Sequence, residues 1–340
     1  MRVLVLSALI FFSVFAIWQG INSKFLASNV EMGYSYPDLQ VAELRLVNSS
    51  VVPASNERAS LQETFQLHQT KPQFRQYHKN DLKGSLILDK TLDVKPSEVT
   101  PRDSQVIVAI LDTGIDSNHE ELIGQVSMEA NFTESDTADD VYGHGTHIAG
   151  IIAANDKNNI GIVGLASESR LLNVKVADDC GRCSIPALVN GIIWAADHGA
   201  NIINISIELK ESTPELKCAV DYAWQKGAVI VAAAGNDGSG NPVYPAYYEN
   251  CIGVAAIKED GMLVPLSNYG RWVDVSAPGF NIYSTMPNNK YGYKHGTSFA
   301  TAYISGMAAN LFPIMADINS NNKRNDEVRQ EIIAGGQIWY

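Results

Sequence analysis

Residues 106–114 read Val-Ile-Val-Ala-Ile-Leu-Asp-Thr-Gly, a continuous apolar run of strand length that ends in an aspartate and a turn. An uninterrupted apolar run is typical of a strand that is buried on both faces of a sheet. Similar runs recur at residues 171–176, 200–207, 228–233 and 252–257. Helical patterns lie between and after these runs, at residues 147–154, 185–198, 214–226 and 297–312.

This alternation of buried strands and helices predicts an α/β fold in three layers, with a mostly parallel sheet and helices on both faces. In such folds, functional side chains gather where the strands end. We therefore expect the active residues in the loops that follow the apolar runs, beginning with Asp112.

Composition limits the class of protein. Of the 340 residues, 46% are hydrophobic and 18% are charged, which excludes a disordered chain. The chain carries 25 basic and 37 acidic residues and no basic run. A net charge of -12 is unfavourable for binding phosphate backbones, so we expect no nucleic-acid partner.

The N-terminal end differs from the rest of the sequence. Met1-Arg2 precedes an apolar stretch over residues 3–18, which is typical of a signal peptide over residues 1–23. The cleavage site is weak, so an uncleaved membrane anchor is the open alternative. Either reading predicts export. Residues 24–95 are polar and poorly periodic and are assigned to a pro-region with an uncertain boundary, and residues 96–340 to the main domain.

Export favours oxidised cysteines, and four cysteines allow three pairings. We expect a small loop disulfide between Cys180 and Cys183, which leaves Cys218 to pair with Cys251. Zinc or redox chemistry at the Cys-Gly-Arg-Cys segment is the alternative, although a structural zinc site requires a second ligand pair with similar spacing.

Three segments place reactive side chains at the predicted ends of elements. They are Ile110-Leu-Asp-Thr-Gly-Ile-Asp116, Gly143-His-Gly-Thr-His-Ile-Ala-Gly150 and His295-Gly-Thr-Ser-Phe-Ala-Thr301. Acyl transfer requires a hydroxyl nucleophile, an imidazole that moves its proton and a carboxylate that fixes the imidazole tautomer. A serine at a helix N-terminus also has a backbone N–H beside the developing oxyanion.

Each segment has a simpler interpretation when it is taken alone. Asp112 could make only a turn, Thr146 could cap a helix, and Ser298 could be an N-cap. A fourth segment argues against a chance occurrence of the other three. Gly235-Asn236 follows another buried run, and an asparagine there can donate to an oxyanion.

Taken together, the four segments resemble the subtilisin-like serine proteases (subtilases, peptidase S8) in order and spacing. The thermitase-like branch is the most similar, through Tyr244-Pro-Ala-Tyr-Tyr248, Asn268-Tyr-Gly-Arg-Trp-Val-Asp-Val275 and Ala277-Pro-Gly279. The resemblance implies a secreted serine endopeptidase with polypeptide substrates. Its own pro-region would act as an intramolecular chaperone. It also implies a monomer without an organic cofactor.

The resemblance also implies a role for individual residues. Asp112, His144 and Ser298 would form the catalytic triad, Asn236 the oxyanion hole, and Ser206, Glu208 and Gly235 the substrate-binding wall. A structural Ca²⁺ would bind the side chains of Glu121 and Asn158 and the carbonyls of Ile160 and Ile162. The alternative for the calcium loop is an ordinary Asn-rich turn.

Glu208 departs from the family, which has glycine at this position. The carboxylate predicts a bias toward Lys or Arg near the scissile bond, with a solvent-facing side chain as the alternative. The α/β-hydrolase fold is excluded because its triad runs Ser, Asp, His along the chain. A catalytically inactive protein with the subtilisin fold, which binds peptides without cutting them, is the alternative function.

Overall fold

The computed structural model describes residues 105–335 and the backbone of one short strand upstream, Leu44–Leu46. These residues belong to one compact unit. The predicted signal or anchor segment and the remainder of the predicted pro-region lie outside the described residues. Within residues 105–335, every helix is too short or too polar to cross a membrane.

The core of the fold is a seven-stranded sheet in the order β10-β9-β8-β6-β2-β4-β3, in which all neighbouring strands are parallel. Its strands are β2 Ile107–Asp112, β3 Val126–Asn131, β4 Arg170–Lys175, β6 Ile202–Ile205, β8 Val229–Ala233, β9 Cys251–Ile257 and β10 Val275–Pro278. The five strands expected from apolar runs are confirmed, and β3 and β10 are additional edge strands.

Five helices lie within the described residues: α1 Gly145–Ala153, α2 Ile185–Asp197, α3 Pro214–Gln225, α4 Thr297–Leu311 and α5 Asn325–Gly335. The first four match the helical patterns of the sequence. The starts of α2 and α3 follow from local chemistry, because Ser184 and Thr213 each cap the helix and a proline follows in the first turn.

Strand β2 explains why the sheet must be covered on both faces. Ala109 and Leu111 pack into a cluster with α2 and α3, whereas Val108 and Ile110 pack into a second cluster with α1 and α4. Successive side chains of a strand point to opposite faces, so a run without polar residues needs an apolar layer on each side. The predicted three-layer α/β fold is confirmed.

Two smaller sheets lie beside the large one. Strands β11 Ile282–Met286 and β12 Lys290–Lys294 form an antiparallel hairpin. The other sheet is antiparallel and has the order β5-β1-β7, with β5 Arg182–Cys183 and β7 Ile207–Glu208 on either side of β1 Leu44–Leu46. We refer to the gap between β5 and β7 as the groove.

Candidate active site

Asp112 and His144 meet at the carboxyl edge of the large sheet. Asp112 is the last residue of β2, and His144 immediately precedes α1. The imidazole Nδ1 lies 2.8 Å from one carboxylate oxygen of Asp112 and 2.9 Å from the other. Both side chains are buried, and His144 Nε2 makes no hydrogen bond within the described residues. A proton held on Nδ1 by the carboxylate leaves the lone pair on Nε2.

The loop after β2 fixes this pair. The Thr113 backbone N–H donates to Asp112 Oδ1 at 2.8 Å, and the Thr113 hydroxyl donates to Asp140 Oδ1 at 2.8 Å. Asp140 is buried and also accepts the backbone N–H of Gly143 at 2.7 Å. Gly145 is required as well, because a Cβ there would collide with the Gly114 carbonyl oxygen. The glycine therefore allows α1 to approach the aspartate loop closely.

Ser298 lies in the first turn of α4, where backbone N–H groups have no partner inside the helix. The ring of the next residue, Phe299, packs against His144 with a centroid distance of 5.4 Å. Asn236 approaches the same turn, since its Oδ1 accepts the Thr297 backbone N–H at 2.9 Å and the Thr297 hydroxyl at 3.1 Å. The side-chain oxygen of Asn236 is therefore turned toward the first turn of α4.

The predicted substrate-binding residues lie beside this turn. The Ser206 hydroxyl donates to the Ser298 carbonyl at 3.4 Å. Glu208 is half-buried, and its carboxylate lies over Gly235, where any side chain would collide with it. Gly235 has φ +99°, a conformation that favours glycine. The structure thus brings all three residues next to Asn236 and Ser298.

Lys175 is a site residue that the sequence analysis missed. It is fully buried at the end of β4, and its ammonium group donates to the carbonyls of Thr113 and Asp139. It also forms an ion pair of 2.8 Å with Asp179. Lys175 therefore connects the loop that follows Asp112 to the loop before β5. The detectable signal was the one charged residue within the run 171–176, which was predicted to be a buried strand.

Comparison with known proteins identifies the family. Residues 103–334 match the model of the subtilase family, Peptidase_S8. The chain is a subtilase. The match covers more than half of the chain and includes the segments that contain Asp112, His144, Asn236 and Ser298.

Three relatives illustrate the similarity to other subtilases. The chain is 43% identical over 236 residues to a thermophilic serine proteinase of Bacillus sp. (strain AK1), covering 69% of this chain and 57% of that protein. It is 46% identical over 233 residues to thermitase of Thermoactinomyces vulgaris, covering 68% and 84%. It is 42% identical over 212 residues to subtilisin of Bacillus pumilus, covering 61% and 76%.

The candidate calcium residues of this subtilase converge on one carboxylate. Glu121 is fully buried and accepts hydrogen bonds from the Asn158 amide at 2.8 Å, the Ile162 backbone N–H at 2.8 Å and the Tyr291 hydroxyl at 3.1 Å. All three donors are neutral. The Ile160 N–H in turn donates to Asn158 Oδ1 at 3.3 Å, so the 158–162 loop wraps around the carboxylate.

The negative charge of two neighbouring carboxylates at Glu121 favours a cation. The Tyr291 hydroxyl also lies 2.8 Å from Glu120, so two carboxylates meet at one hydroxyl. Burial and the two carboxylates together raise the pKa of Tyr291 far above its usual range. A buried carboxylate is a hard oxygen ligand, and the subtilase family is generally calcium-binding. The Asn158 amide meets Glu121 through its NH₂ group, so these residues fit Ca²⁺ only with that amide turned to bring its oxygen toward the ion. Within residues 105–335, no group of three or more His, Cys, Asp and Glu side chains is placed to hold a metal ion.

The predicted disulfides are not formed. All four cysteines are free thiols, and each expected pair joins an exposed residue to a buried one: Cys180 to Cys183, and Cys218 to Cys251. Cys183 points into the core from β5, whereas Cys180 lies in the preceding turn. Burial raises the pKa of Cys183 and Cys251 well above the usual range, which keeps both thiols neutral.

His147 is a second buried histidine beside the site. Its ring packs edge-on against Phe299 at 4.8 Å, and its Nε2 lies 3.2 Å from the Gly292 carbonyl. Burial, with a smaller contribution from the Lys294 ammonium, lowers the pKa of His147 to about 3. The ring is therefore neutral near pH 7.

This lowered pKa predicts a loss of stability in mild acid. The unfolded chain binds a proton at His147 near pH 6.5 and the folded chain only near pH 3, so stability falls as pH falls between these values. Between pH 7 and pH 5 the loss attributable to this ring should be about 2 kcal/mol. Urea unfolding in a Ser298→Ala background, which prevents self-digestion, measures it.

The matched control is His147→Gln, which keeps a donor near Gly292 but cannot be protonated. Its stability should change less between pH 7 and pH 5 than that of the parent. An equal pH dependence in the two proteins would contradict the assignment of the acid sensitivity to His147.

Proposed function

We propose that this chain is an exported subtilisin-type serine endopeptidase, which hydrolyses peptide bonds through an acyl-enzyme intermediate. The observation that carries the proposal is the buried Asp112–His144 pair, in which His144 Nε2 has no hydrogen bond to any described residue, with Ser298 in the first turn of α4 nearby. A buried polar atom without a partner is costly in a purely structural role and useful in a proton-transfer role.

In this proposal Ser298 Oγ attacks the carbonyl carbon of the scissile peptide, and its proton passes to His144 Nε2. Asp112 stabilises the imidazolium that forms and keeps Nδ1 protonated. The tetrahedral intermediate collapses when the C–N bond breaks, and His144 returns the proton to the leaving amine. Water then hydrolyses the acyl-enzyme ester by the same proton route.

The negative charge on the carbonyl oxygen needs donors that are already in place. The Asn236 NH₂ group and the Ser298 backbone N–H supply them in this proposal. Asn236 is held by its contacts with Thr297, and the N–H of Ser298 is at the positive end of α4. Preorganised donors of this kind stabilise the transition state without reorganising during the reaction.

The alternative, an inactive peptide-binding protein, makes a different prediction for covalent labelling. An organophosphonate probe reacts with an activated serine, so the full chain should be labelled and Ser298→Ala should not. A Thr301→Ala variant, which changes another hydroxyl of α4, is the control and should remain labelled. Wild-type protein that stays unlabelled while it still binds peptides would favour the inactive alternative.

We also propose that the pro-region acts on the enzyme in cis, as inhibitor and folding aid. The support is β1, a strand from the predicted pro-region whose backbone pairs with both edges of the groove. A subtilase with a parallel sheet has many contacts between distant residues and folds slowly, which favours such a helper. N-terminal sequencing of the secreted protein identifies where the mature enzyme starts and whether residues 1–23 are removed.

A structural Ca²⁺ at Glu121, Asn158 and the carbonyls of Ile160 and Ile162 belongs to the same proposal. Binding to the folded chain alone should raise stability by about 3 kcal/mol at a calcium concentration one hundred times the dissociation constant. We therefore expect the melting temperature of Ser298→Ala protein to rise with calcium and to fall in excess chelator. Differential scanning calorimetry measures both changes.

Two variants locate the ion. Glu121→Gln should remove the calcium dependence, because it removes the one buried carboxylate that the loop surrounds. Neutralising the exposed acids Glu134 and Asp136 should leave the dependence unchanged. A melting temperature that does not respond to chelator in the parent protein would overturn the site.

A further inference from the structure

The turn between α4 and α5 carries oxygen-bearing side chains at alternate positions. Residues 317–327 read Asp-Ile-Asn-Ser-Asn-Asn-Lys-Arg-Asn-Asp-Glu, so the first, third and fifth residues are Asp317, Asn319 and Asn321. Calcium loops of helix–loop–helix proteins have side-chain oxygens at these three positions, a sharp turn at the sixth, a carbonyl ligand at the seventh and a glutamate at the twelfth. The sixth residue here, Asn322, has φ +64°, and the glutamate comes at the eleventh position. The spacing is close to that of a calcium loop, but a site requires that the oxygens also meet in space.

The first two of these side chains do meet. The Asn321 backbone N–H donates to Asp317 Oδ1 at 3.1 Å and to Asn319 Oδ1 at 3.0 Å, so the two oxygens share one donor and lie close together. Asp317 Oδ2 accepts the Asn322 N–H at 2.7 Å, which closes the turn. A carboxylate or amide oxygen can accept two contacts, so both side chains keep the capacity to bind a cation.

Asp326 orients the two amides of the loop. Its Oδ2 accepts a hydrogen bond from Asn319 Nδ2 at 2.9 Å and from Asn321 Nδ2 at 2.8 Å. The Asn321 side-chain oxygen accepts the Lys323 N–H at 2.8 Å. The amide nitrogens are therefore both held by one carboxylate, and the amide oxygens are turned toward the backbone of the loop.

Glu327 brings a buried carboxylate to the same loop. It lies in the first turn of α5 and is only 4% exposed. Its Oε1 accepts the backbone N–H groups of Ile318 at 3.0 Å and Asn319 at 3.4 Å, so the carboxylate faces the start of the segment. Its Oε2 is buried and has no hydrogen bond to any residue within 105–335. A structural tie between α5 and the loop accounts for Oε1 but leaves Oε2 as a buried acceptor without a partner, which is costly.

The negative charge of the segment is not neutralised by basic side chains. Among the described residues 105–335, none of the carboxylates of Asp317, Asp326 and Glu327 forms an ion pair with lysine or arginine. The stem of Lys323 lies over a glycine of the turn between α3 and β8, and Arg324 donates to a carbonyl just beyond α4 at 3.4 Å. A cation is therefore the partner that the segment lacks.

We propose that the 317–327 segment binds a Ca²⁺ of its own, separate from the ion proposed at Glu121. The ligands are oxygen atoms of the segment itself: the side chains of Asp317, Asn319, Asn321 and Glu327 and the carbonyl of Lys323. Ca²⁺ takes about six to eight such oxygens in irregular geometry, and water completes the set. Only two of the ligands are carboxylates, so the site differs in kind from a group of three or more acidic, His or Cys side chains. The inference goes beyond the endopeptidase function and does not depend on it.

The 317–327 site should be the weaker of the two calcium sites. Asn319 and Asn321 are exposed, whereas Glu121 is fully buried. Charge count and rigidity set the calcium affinity of a loop, so we expect a dissociation constant on the order of 10⁻⁴–10⁻³ M. The melting temperature at lower calcium concentrations then reports the ion at Glu121 alone, and the effect of Glu121→Gln is read there.

The test is hydrogen exchange with mass spectrometry on the full chain carrying Ser298→Ala, in calcium chloride, in chelator and in potassium chloride of equal ionic strength. At a calcium concentration ten times the dissociation constant, opening of the loop that releases the ion should become about tenfold rarer. Peptides covering 317–327 should therefore exchange about tenfold more slowly in calcium. Potassium chloride should give no comparable slowing.

Two variants and a control assign the response to this site. Glu327→Gln keeps an acceptor for the N–H groups of Ile318 and Asn319 but removes the charge, so the slowing at 317–327 should be lost. Asp317→Asn should have the same effect in a more exposed part of the loop, and it decides the question if Glu327→Gln does not fold. Asp260→Asn is the control, since Asp260 also accepts an N–H two residues ahead, from Met262 at 3.0 Å, in an exposed turn. It should leave the slowing at 317–327 unchanged.

The two calcium proposals can fail separately, because peptides covering 158–162 report the ion at Glu121 in the same experiment. Exchange at 317–327 that does not respond to calcium overturns the inference, whatever happens at 158–162. So does a response that persists in Glu327→Gln and Asp317→Asn, or an equal response to potassium chloride. Labelling of Ser298 by the phosphonate probe tests the endopeptidase function independently of either ion.

Discussion

Ser298→Ala should lower kcat on a peptide substrate by about 10⁶, equivalent to about 8 kcal/mol of lost transition-state stabilisation. Alanine removes the only atom that forms the acyl bond, while α4 keeps its position because Ser298 is buried in the first helical turn. His144→Ala should have an effect of similar size, since the serine then has no group to accept its proton. Rates are measured with a chromogenic peptide and active-site titration.

The losses in kcat caused by Ser298→Ala and His144→Ala should not be additive. In the proposed mechanism His144 and Ser298 act as one unit, so the double variant should be about as slow as either single variant. Circular dichroism and calcium-dependent melting serve as controls that the fold is intact. Independent effects that multiply in the double variant, or a residual rate near that of wild type, would exclude this serine and histidine as partners in one step.

The three layers of the fold could be predicted from the hydrophobic pattern of the sequence. A strand such as β2 has no polar residue on either face until Asp112, and only burial in the middle of three layers accommodates it. The starts of α2 and α3 were equally visible, because a capping Ser or Thr before a proline is a local signal. These features depend on near neighbours and could be predicted.

Features that depend on residues distant in the sequence could not be predicted. Edge strand β3 has an exposed and polar pattern, since only one side of it meets another strand, and it resembles a loop in sequence. Lys175 is buried because carbonyls from two other segments surround its ammonium group. The cysteine pairing failed for the same reason: sequence spacing says nothing about which thiol faces the core.

In the candidate active site, too, some features could be predicted from the sequence and others could not. The identities of Asp112, His144, Asn236 and Ser298 were predicted from their segments, and the structure places them at one edge of the sheet as expected for a parallel α/β fold. The part that the sequence could not supply is orientation. The side-chain oxygen of Asn236 is oriented by Thr297, a contact between residues on different elements.

That orientation leads to the second large effect. Asn236→Ala should lower kcat by roughly 10²–10³ and change KM little, because in the proposed mechanism the amide donates to charge that develops only in the transition state. Asn236→Asp should be at least as slow, since it keeps an acceptor for Thr297 but replaces the donor with a second negative charge. The measurement is kcat and KM on the same peptide, with the concentration of active sites titrated for each variant.

The Thr297→Val variant distinguishes the hydrogen bond that the Asn236 amide is proposed to donate from the contacts that orient this amide. It removes the hydroxyl contact to Asn236 Oδ1 at 3.1 Å but keeps the backbone N–H contact at 2.9 Å, so the amide remains held and the loss in kcat should stay below about tenfold. The order of rates should therefore be wild type, Thr297→Val, Asn236→Ala, and then Asn236→Asp. An Asn236→Ala enzyme with the wild-type kcat would mean that the oxyanion is stabilised elsewhere, because no other role of the amide at this position predicts a loss confined to turnover.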